Sequence, residues 1–373
     1  MKVLLDYFIF DAAAIGGVYR YFRNLISRSQ TSPQLEYQIA CLFGEHPEDW
    51  KALGLKPKPF HNLSSPILHK ASTAFSRGSN ILYSLLRMSG SNYDIFHPTY
   101  YSLYYQQVVD RIRKPLAVTV YDMIHERYPE YMKKGNTTPQ KKKLLCERAD
   151  VVFAISEHTK KDIVEMLNIP PDKIRVTPLS GGFENPRYNA SLAAQLPKKY
   201  ILYVGGRSGY KNFCLFFRAI APLLKQDPEL TLVCTGGGFN PGERELIKSY
   251  ALEGKAFAYF VLDQDMHTYY KCAELFVFPS LYEGFGIPLL EAFSSGCPVA
   301  ASNTSSLPEV GGNAAVYFDP KSESNIASAM QSILYNPDFK SELIQAGLKR
   351  AGQFSWDKTM EITLEGYRSI LSR

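Results

Sequence analysis

Two acids and two bases stand where a chemical step could use them. Glu283 lies in the run Pro279-Ser-Leu-Tyr-Glu-Gly-Phe-Gly-Ile-Pro-Leu-Leu-Glu291. A strand ends at Pro279, and Gly284-Phe285-Gly286 lead into a helix with Pro288 in its first turn, where a missing N–H does no harm. The free N–H groups of such a start, preceded by flexible glycines, form a site for an anion or a hydroxyl oxygen. Glu291 falls on the helix itself, one to two turns in. Ionised carboxylates accept hydrogen bonds from vicinal hydroxyls, so the two acids suit a ligand with hydroxyls at both ends. Two isolated glutamates are more often a solvated side chain and a neighbour's salt-bridge partner; the glycines, the proline and the strand end favour the ligand reading. A second run, Val204-Gly-Gly206-Arg207-Ser-Gly-Tyr-Lys211-Asn212, also joins a strand to a helix. Its glycines allow close backbone approach. Arg207 as a fork-shaped donor and Lys211 as a point charge suit a diphosphate, while two surface bases in a tight turn are an equally good reading of this run alone.

Weaker signals surround these. Thr235-Gly236-Gly237-Gly238 ends another strand and would pass near a base or ribose, or simply turn. Ile15-Gly16-Gly17 joins the first strand to the first helix and could face a phosphate or sugar. His97-Pro-Thr-Tyr100-Tyr101 and Tyr121-Asp122-Met-Ile-His125 both sit at strand ends. Asp122 and His125 could serve as a general base or bind an acceptor hydroxyl, or each could be satisfied by loop backbone. Lys133, Lys134, Lys141, Lys142, Lys143 and Arg148 form a basic cluster. A solvated helix face is the commoner fate of such a run; the sharper reading is a landing site for an anionic membrane or lipid phosphate.

The elements that must position these residues alternate short apolar runs with longer amphipathic ones, the pattern of parallel sheets covered by helices. Strands are predicted at 2–6, 37–43, 93–97, 115–121, 151–155 and 173–177, with helices near 17–29, 78–89, 101–112, 138–148 and 157–167, the last capped by Ser156. A polar stretch, 178–199, reads as a linker. The alternation then restarts, with strands at 200–205, 230–236, 256–261, 274–279, 297–302 and 314–318. Helices are predicted near 211–225, 242–253, 265–272, 287–296, 322–334 and 337–350. This gives two Rossmann-like, doubly wound domains, 1–178 and 179–353, expected to face each other across a cleft. A final amphipathic helix within 354–373 could close the second domain or reach back to the first.

Composition narrows the classes further. The 373 residues are 45% hydrophobic and 21% charged, which excludes disorder and coiled coil as the main content. No apolar stretch is long enough to span a membrane, and Asp6 and Asp11 interrupt the N-terminal run, against a secretory signal. The six cysteines stand singly, with no metal-type spacing, and are expected to be reduced and buried. A net charge of +6 permits a phosphate-bearing ligand, but no basic tail of nucleic-acid type is present. Neither a P-loop nor a dinucleotide G-x-G-x-x-G occurs, which disfavours a nicotinamide oxidoreductase.

Together, EGFGIPLLEA, the following GCPVAASNTSSLPEVGGNAAVYFDP, GGRSGYKN, ISEHTKKDI with KIRVTPLSGG, and the terminal FSWDKT closely resemble the retaining glycosyltransferases of family 4, which have the GT-B fold. The resemblance implies an enzyme that moves a hexose from a sugar nucleotide to a hydroxyl of a glycan or lipid-linked acceptor, with no cofactor and no metal. Glu283 would lie near the donor sugar's hydroxyls and Glu291 on its ribose. Gly284, Phe285 and Gly286, with Ile287 beside them, would offer backbone N–H groups to the sugar. Arg207 and Lys211 would grip the diphosphate, with Gly206 and Gly237 nearby, and Gly16 and Gly17 would adjoin the phosphates or acceptor. His97, Tyr100, Tyr101 and His125 are the expected acceptor contacts. Many relatives carry His-Asp at the end of the fourth strand; here the pair is Tyr121-Asp122, so either no imidazole is needed or His125 supplies it. The run resembles bacterial O-antigen mannosyltransferases, which makes GDP-mannose the expected donor, with UDP- or dTDP-sugars as alternatives. A silent sugar-nucleotide-binding partner or sensor is the rival reading. The expected location is the cytoplasm, with the lysine cluster as the candidate contact to the inner face of a membrane; nucleic acid is not an expected partner.

Overall fold

The apolar runs pair as parallel strands and the amphipathic runs cover them, in two units. The computed structural model describes residues 1–11, 16–44, 56–57, 65–102, 104–105, 114–183 and 186–372. One unit comprises Met1–Glu126, Met132–Pro178 and Trp356–Arg373, the other Arg127–Tyr131 and Leu179–Ser355.

In the first unit, β1 (Lys2–Leu5) leads to α1 (Gly17–Ser29), β2 (Glu36–Ile39), α2 (Pro66–Ser89), β3 (Ile95–His97) and β4 (Ala117–Val120). Then come α3 (Thr138–Arg148), β5 (Val151–Ala154), α4 (Glu157–Leu167) and β6 (Ile174–Val176). The order is β2-β1-β3 and β4-β5-β6, all parallel, with a bridge from Phe96 to Leu116 between the two sets. Every residue of β3, β4 and β5 is buried, as expected of a parallel sheet covered on both faces. Ser156 caps α4 as its sequence position predicts, accepting the Thr159 N–H at 3.0 Å. The helix expected near 101–112 lies largely outside the described residues. The C-terminal helix, Trp356–Leu371, packs within this unit against β5. Gly366 makes that packing possible, because a Cβ there would lie 2.4 Å from the Phe153 ring.

In the second unit, β7 (Lys199–Tyr203), α5 (Phe213–Gln226), β8 (Leu230–Thr235), α6 (Pro241–Ser249), β9 (Ala256–Tyr259) and α7 (Met266–Cys272) form the first half. The second half is β10 (Leu275–Phe278), α8 (Ile287–Ser294), β11 (Val299–Ser302), α9 (Leu307–Gly311), β12 (Val316–Phe318), α10 (Glu323–Leu334) and α11 (Pro337–Ala351). The parallel sheet runs β9-β8-β7-β10-β11-β12, the doubly wound order that reverses between its first and fourth strands. Phe213, Phe216, Phe217, Ile220 and Leu224 of α5 fill the core on one face of this sheet.

His97 is a correction to the sequence reading. It is fully buried, its Nδ1 lies 2.6 Å from Tyr367 Oη on the C-terminal helix, and its Nε2 lies 2.9 Å from Thr119 Oγ1 on β4. Both ring nitrogens are occupied within the core, so the ring ties helix to sheet and is closed to an acceptor. Four cysteines are buried as expected, but Cys214 is exposed and Cys272 half-buried.

Burial lowers the His97 imidazole pKa to about 3, against 6.5 for the free group. The unfolded chain therefore binds one proton more than the folded one between these values, and stability falls as pH drops through that window. His97→Gln should flatten the pH profile by roughly 1.4 kcal/mol per pH unit below 6.5, measured as thermal midpoints of the variant and parent protein. Parallel profiles would contradict the assignment.

Candidate active site

Ligands of open α/β sheets bind beyond the strand ends at the point where strand order reverses. In the second unit that point lies between β7 and β10, and it brings two residues of the sequence pattern together. Lys211 closes the turn Gly209–Lys211 after β7, Glu283 sits in the loop after β10, and Nζ lies 2.6 Å from Oε1. The pair is held from several sides. The Leu281 N–H donates to Tyr210 O at 2.8 Å, and Asn212 Nδ2 donates to Pro279 O at 3.1 Å and Pro320 O at 2.7 Å. Ser305 Oγ accepts the Glu283 N–H at 2.9 Å, while Ser306 Oγ lies 2.9 Å from the carbonyls of Glu283 and Phe285. The Tyr210 ring, 5.2 Å from Nζ, adds a cation–π contact. Residues 127–131 pack on the same loops: Tyr128 Oη donates to Leu281 O at 3.3 Å, and Tyr131 leans on Gly209.

Arg207 has a different task from the one its sequence position suggests. It is buried, with Nε donating to Glu243 Oε2 at 3.1 Å, Nη1 to Thr235 O at 3.2 Å, and Nη2 to Gly237 O at 2.9 Å and Gly238 O at 2.6 Å. A guanidinium has five N–H groups, so one remains for a ligand. Arg207 therefore shapes the loop after β8 and does not present an open fork to a diphosphate. Glu243 escaped the sequence reading, although Asn240-Pro-Gly-Glu243 carries a signal for it. The two residues form a capping box at the start of α6, and the carboxylate that closes the box also receives Arg207. Glycine is required at position 236, with φ of 97°, where a Cβ would lie 2.6 Å from Gly205 O. Gly206 is exposed and Gly237 has φ of 93°.

At the start of α8, Gly286 has φ of 106°, and a Cβ there would meet Leu307 at 2.8 Å. Phe285 is buried edge-on against Phe354, so only its backbone could serve a ligand. Ile287 is the first helical residue. Glu291, one turn further, is nearly buried and accepts the Tyr270 hydroxyl at 3.1 Å.

In the first unit the loop after β4 gathers Asp122, His125 and Glu126 around Lys142. The ammonium of Lys142 is fully buried, donating to Asp122 O at 2.7 Å and Glu126 Oε2 at 2.9 Å, with Asp122 Oδ1 at 4.0 Å. This corrects the surface cluster: Lys142 cannot meet a membrane, whereas Lys133, Lys134 and Lys143 are exposed and Lys141 is half-buried. His125 Nδ1 lies 3.8 Å from Asp122 Oδ1, beyond a hydrogen bond. Burial works to raise the Asp122 pKa, but His125, Lys142 and the Ile124 N–H outweigh it and hold the carboxyl below its ordinary value. Tyr121 is also corrected as a catalytic candidate. Its buried hydroxyl donates to Thr99 O at 3.0 Å, and burial raises its pKa well above 10, so it is no base. Tyr101 is buried with its hydroxyl on Thr119 O at 3.1 Å, which removes it from the acceptor contacts. Tyr100 is half-buried, stacked between Phe8 and Tyr121. Gly16 is extended, with open space where a Cβ would stand, and Gly17 begins α1.

The two cations should separate in a stability measurement. Arg207→Ala strands Glu243 in the interior and should destabilise the second unit by about 3–5 kcal/mol. Lys211→Ala removes a half-exposed partner and should change stability by about 1 kcal/mol or less. Denaturant unfolding of the two variants checks this; the reverse order would contradict the assignment of Arg207 as the buried brace.

Comparison with known proteins gives the family and the fold. A family model described as Glycosyltransferase Family 4 matches residues 15–179, and one described as Glycosyl transferases group 1 matches residues 184–350. The O-antigen chain mannosyltransferase B of Escherichia coli is 30% identical over 268 residues, 68% of this chain and 70% of the relative. The serotype-specific mannosyltransferase WbdA of the same organism is 31% identical over 239 residues, 60% of this chain but only 29% of the longer relative. Among solved structures, sucrose-phosphate synthase from Thermosynechococcus elongatus superposes with a TM-score of 0.78 at 19% identity, covering 100% of this chain and 99% of the other. Anabaena Alr3699/HepE in complex with UDP-glucose gives 0.74 at 14% identity, covering 100% of both chains. These likenesses establish the fold. With both family models matched in chain order and a relative at this identity covered over most of its length, the chain belongs to the GT-B glycosyltransferases of family 4.

Proposed function

We propose that the protein transfers mannose from GDP-mannose to a hydroxyl of a glycan or lipid-linked acceptor, with retention at the anomeric carbon and without a metal ion. The observation that carries this reading is the Lys211–Glu283 pair at the switch point of the second unit, 2.6 Å apart. Breaking the bond between sugar and diphosphate leaves negative charge on the departing phosphate oxygen. A fixed ammonium beside that oxygen stabilises the charge as it develops, the role a divalent cation could otherwise fill. Glu283 orients the ammonium and offers its second oxygen to the sugar hydroxyls, while Glu291 would meet the ribose. Support for mannose comes from the two mannosyltransferase relatives, at 30% and 31% identity.

The bond between the anomeric carbon and the phosphate oxygen breaks as the acceptor oxygen bonds to the same face of that carbon. The acceptor's proton passes to the departing phosphate oxygen, so no enzyme carboxylate becomes bonded to the sugar. A double displacement would need such a nucleophile opposite the leaving group. Asp122 and His125 would then orient the acceptor hydroxyl. We include peripheral contact with the inner face of a membrane in this reading, because the acceptor is lipid-linked in one of its two forms.

Lys211→Ala should lower kcat by roughly 100- to 1,000-fold in a donor-consumption assay, with EDTA leaving the parent rate unchanged. Near-normal turnover of the variant would contradict the proposed role. A thermal-shift panel of GDP, UDP, ADP and dTDP tests the donor. A nucleotide that binds only the folded protein raises its melting temperature, and the largest rise is expected with GDP. A larger rise with UDP or dTDP would replace the donor and leave the transferase reading in place.

A further inference from the structure

A short segment between β4 and α3 folds with the second unit. The chain belongs to the first unit up to Glu126 and again from Met132, whereas Arg127–Tyr131 groups with Leu179–Ser355. Its sequence, Arg127-Tyr-Pro-Glu-Tyr131, accounts for its shape. Pro129 is pre-set for the first corner of a turn, and the Tyr131 N–H donates to Tyr128 O at 3.1 Å. In so tight a turn residues three apart stand on one side, so the two tyrosine rings meet, 6.0 Å apart and 18° from parallel. The start of the segment is anchored, because Glu126, the residue before it, receives the buried Lys142 ammonium at 2.9 Å.

The two rings address the two loops of the lysine–glutamate pair. Tyr131 lies against Gly209, which opens the turn that ends in Lys211; a Cβ at Gly209 would stand 3.0 Å from Tyr131 Cγ. The φ of 56° at Gly209 favours glycine as well. Tyr128 Oη donates to Leu281 O at 3.3 Å, and its ring lies 6.2 Å from that of Tyr282. Leu281 stands two residues before Glu283, and its own N–H donates to Tyr210 O at 2.8 Å. The peptide groups of Leu281 are therefore held by the lysine's turn on one side and by Tyr128 on the other.

We propose that Tyr128 and Tyr131 are positioning residues for the transfer, setting the place of the Lys211 ammonium relative to Glu283. The lysine's loop needs such support. Gly205, Gly206 and Gly209 precede Lys211 in it, and glycine leaves a backbone its greatest freedom. Misplacing a group by about 1 Å can cost on the order of 100-fold in rate. Tyr131 acts through its ring, pressed on the turn, and Tyr128 through its hydroxyl, bonded to the glutamate's loop. The inference rests on the role proposed above for Lys211.

The test is donor consumption by the full chain with GDP-mannose, or with UDP-glucose or dTDP-glucose if the nucleotide panel selects those bases. Tyr128→Phe removes only the hydroxyl and Tyr131→Ala only the ring. Each should lower kcat about tenfold, with donor KM within about twofold and the melting temperature within about 2 °C. Tyr131→Phe keeps the ring and should restore the parent rate. With Lys211→Ala already present, neither Tyr128→Phe nor Tyr131→Ala should lower kcat further, because no ammonium is left to place. Should Tyr131→Ala fail to fold, Tyr128→Phe decides. The inference is overturned if Tyr128→Phe turns over like the parent, if Tyr131→Phe is as slow as Tyr131→Ala, or if the losses add in full to that of Lys211→Ala. Near-normal turnover of Lys211→Ala alone, or a parent protein that consumes none of the three donors, overturns the proposed function and this inference with it.

Discussion

The candidate site depends on one constraint: a lysine and a glutamate from loops far apart in sequence must meet where the strand order of a parallel sheet reverses. Lys211 follows β7 and Glu283 follows β10, so the two helices that continue from these strands diverge and leave the loop ends open. Asn212 bonds to the carbonyls of Pro279 and Pro320, and Tyr210 O accepts the Leu281 N–H. Backbone is thus tied to backbone before either charge is placed. An ammonium held in this way needs little reorganisation when charge develops beside it, which is what electrostatic catalysis requires.

Both units use a buried cation to fix a strand-end loop. Arg207 gathers the carbonyls of Thr235, Gly237 and Gly238 and is balanced by Glu243. Lys142 holds the Asp122 carbonyl and is balanced by Glu126. Each cation leaves water only because a carboxylate and backbone acceptors take over its hydration. The division of labour in the second unit follows: the fully engaged arginine shapes a loop, and the half-exposed lysine stays within reach of a ligand.

Much of this was legible in the residue pattern. The strands of both sheets and helices such as 138–148 and 157–167 follow from apolar runs and a serine cap, because covered parallel strands are apolar throughout. Gly284, Gly286 and Pro288 marked the start of α8, since each fits that turn for a stereochemical reason. What escaped was burial and partnership across sequence distance. Arg207 and Lys211 look alike as two bases in one glycine-rich run, and only Glu243, 36 positions away, tells them apart. His97 and Tyr121 read as strand-end candidates for the site until the C-terminal helix and Thr99 supply their partners. The helix α2 was read only from 78 onward, because a periodicity argument takes the apolar face as the inner one and here serines and an asparagine occupy it.

The most direct test is a crystal structure of the protein with its intact sugar-nucleotide donor. The account predicts an oxygen of the donor's diphosphate within ~3 Å of Lys211 Nζ, with the sugar hydroxyls on Glu283. A diphosphate bound away from the loops after β7 and β10, with the lysine–glutamate pair undisturbed, would contradict it.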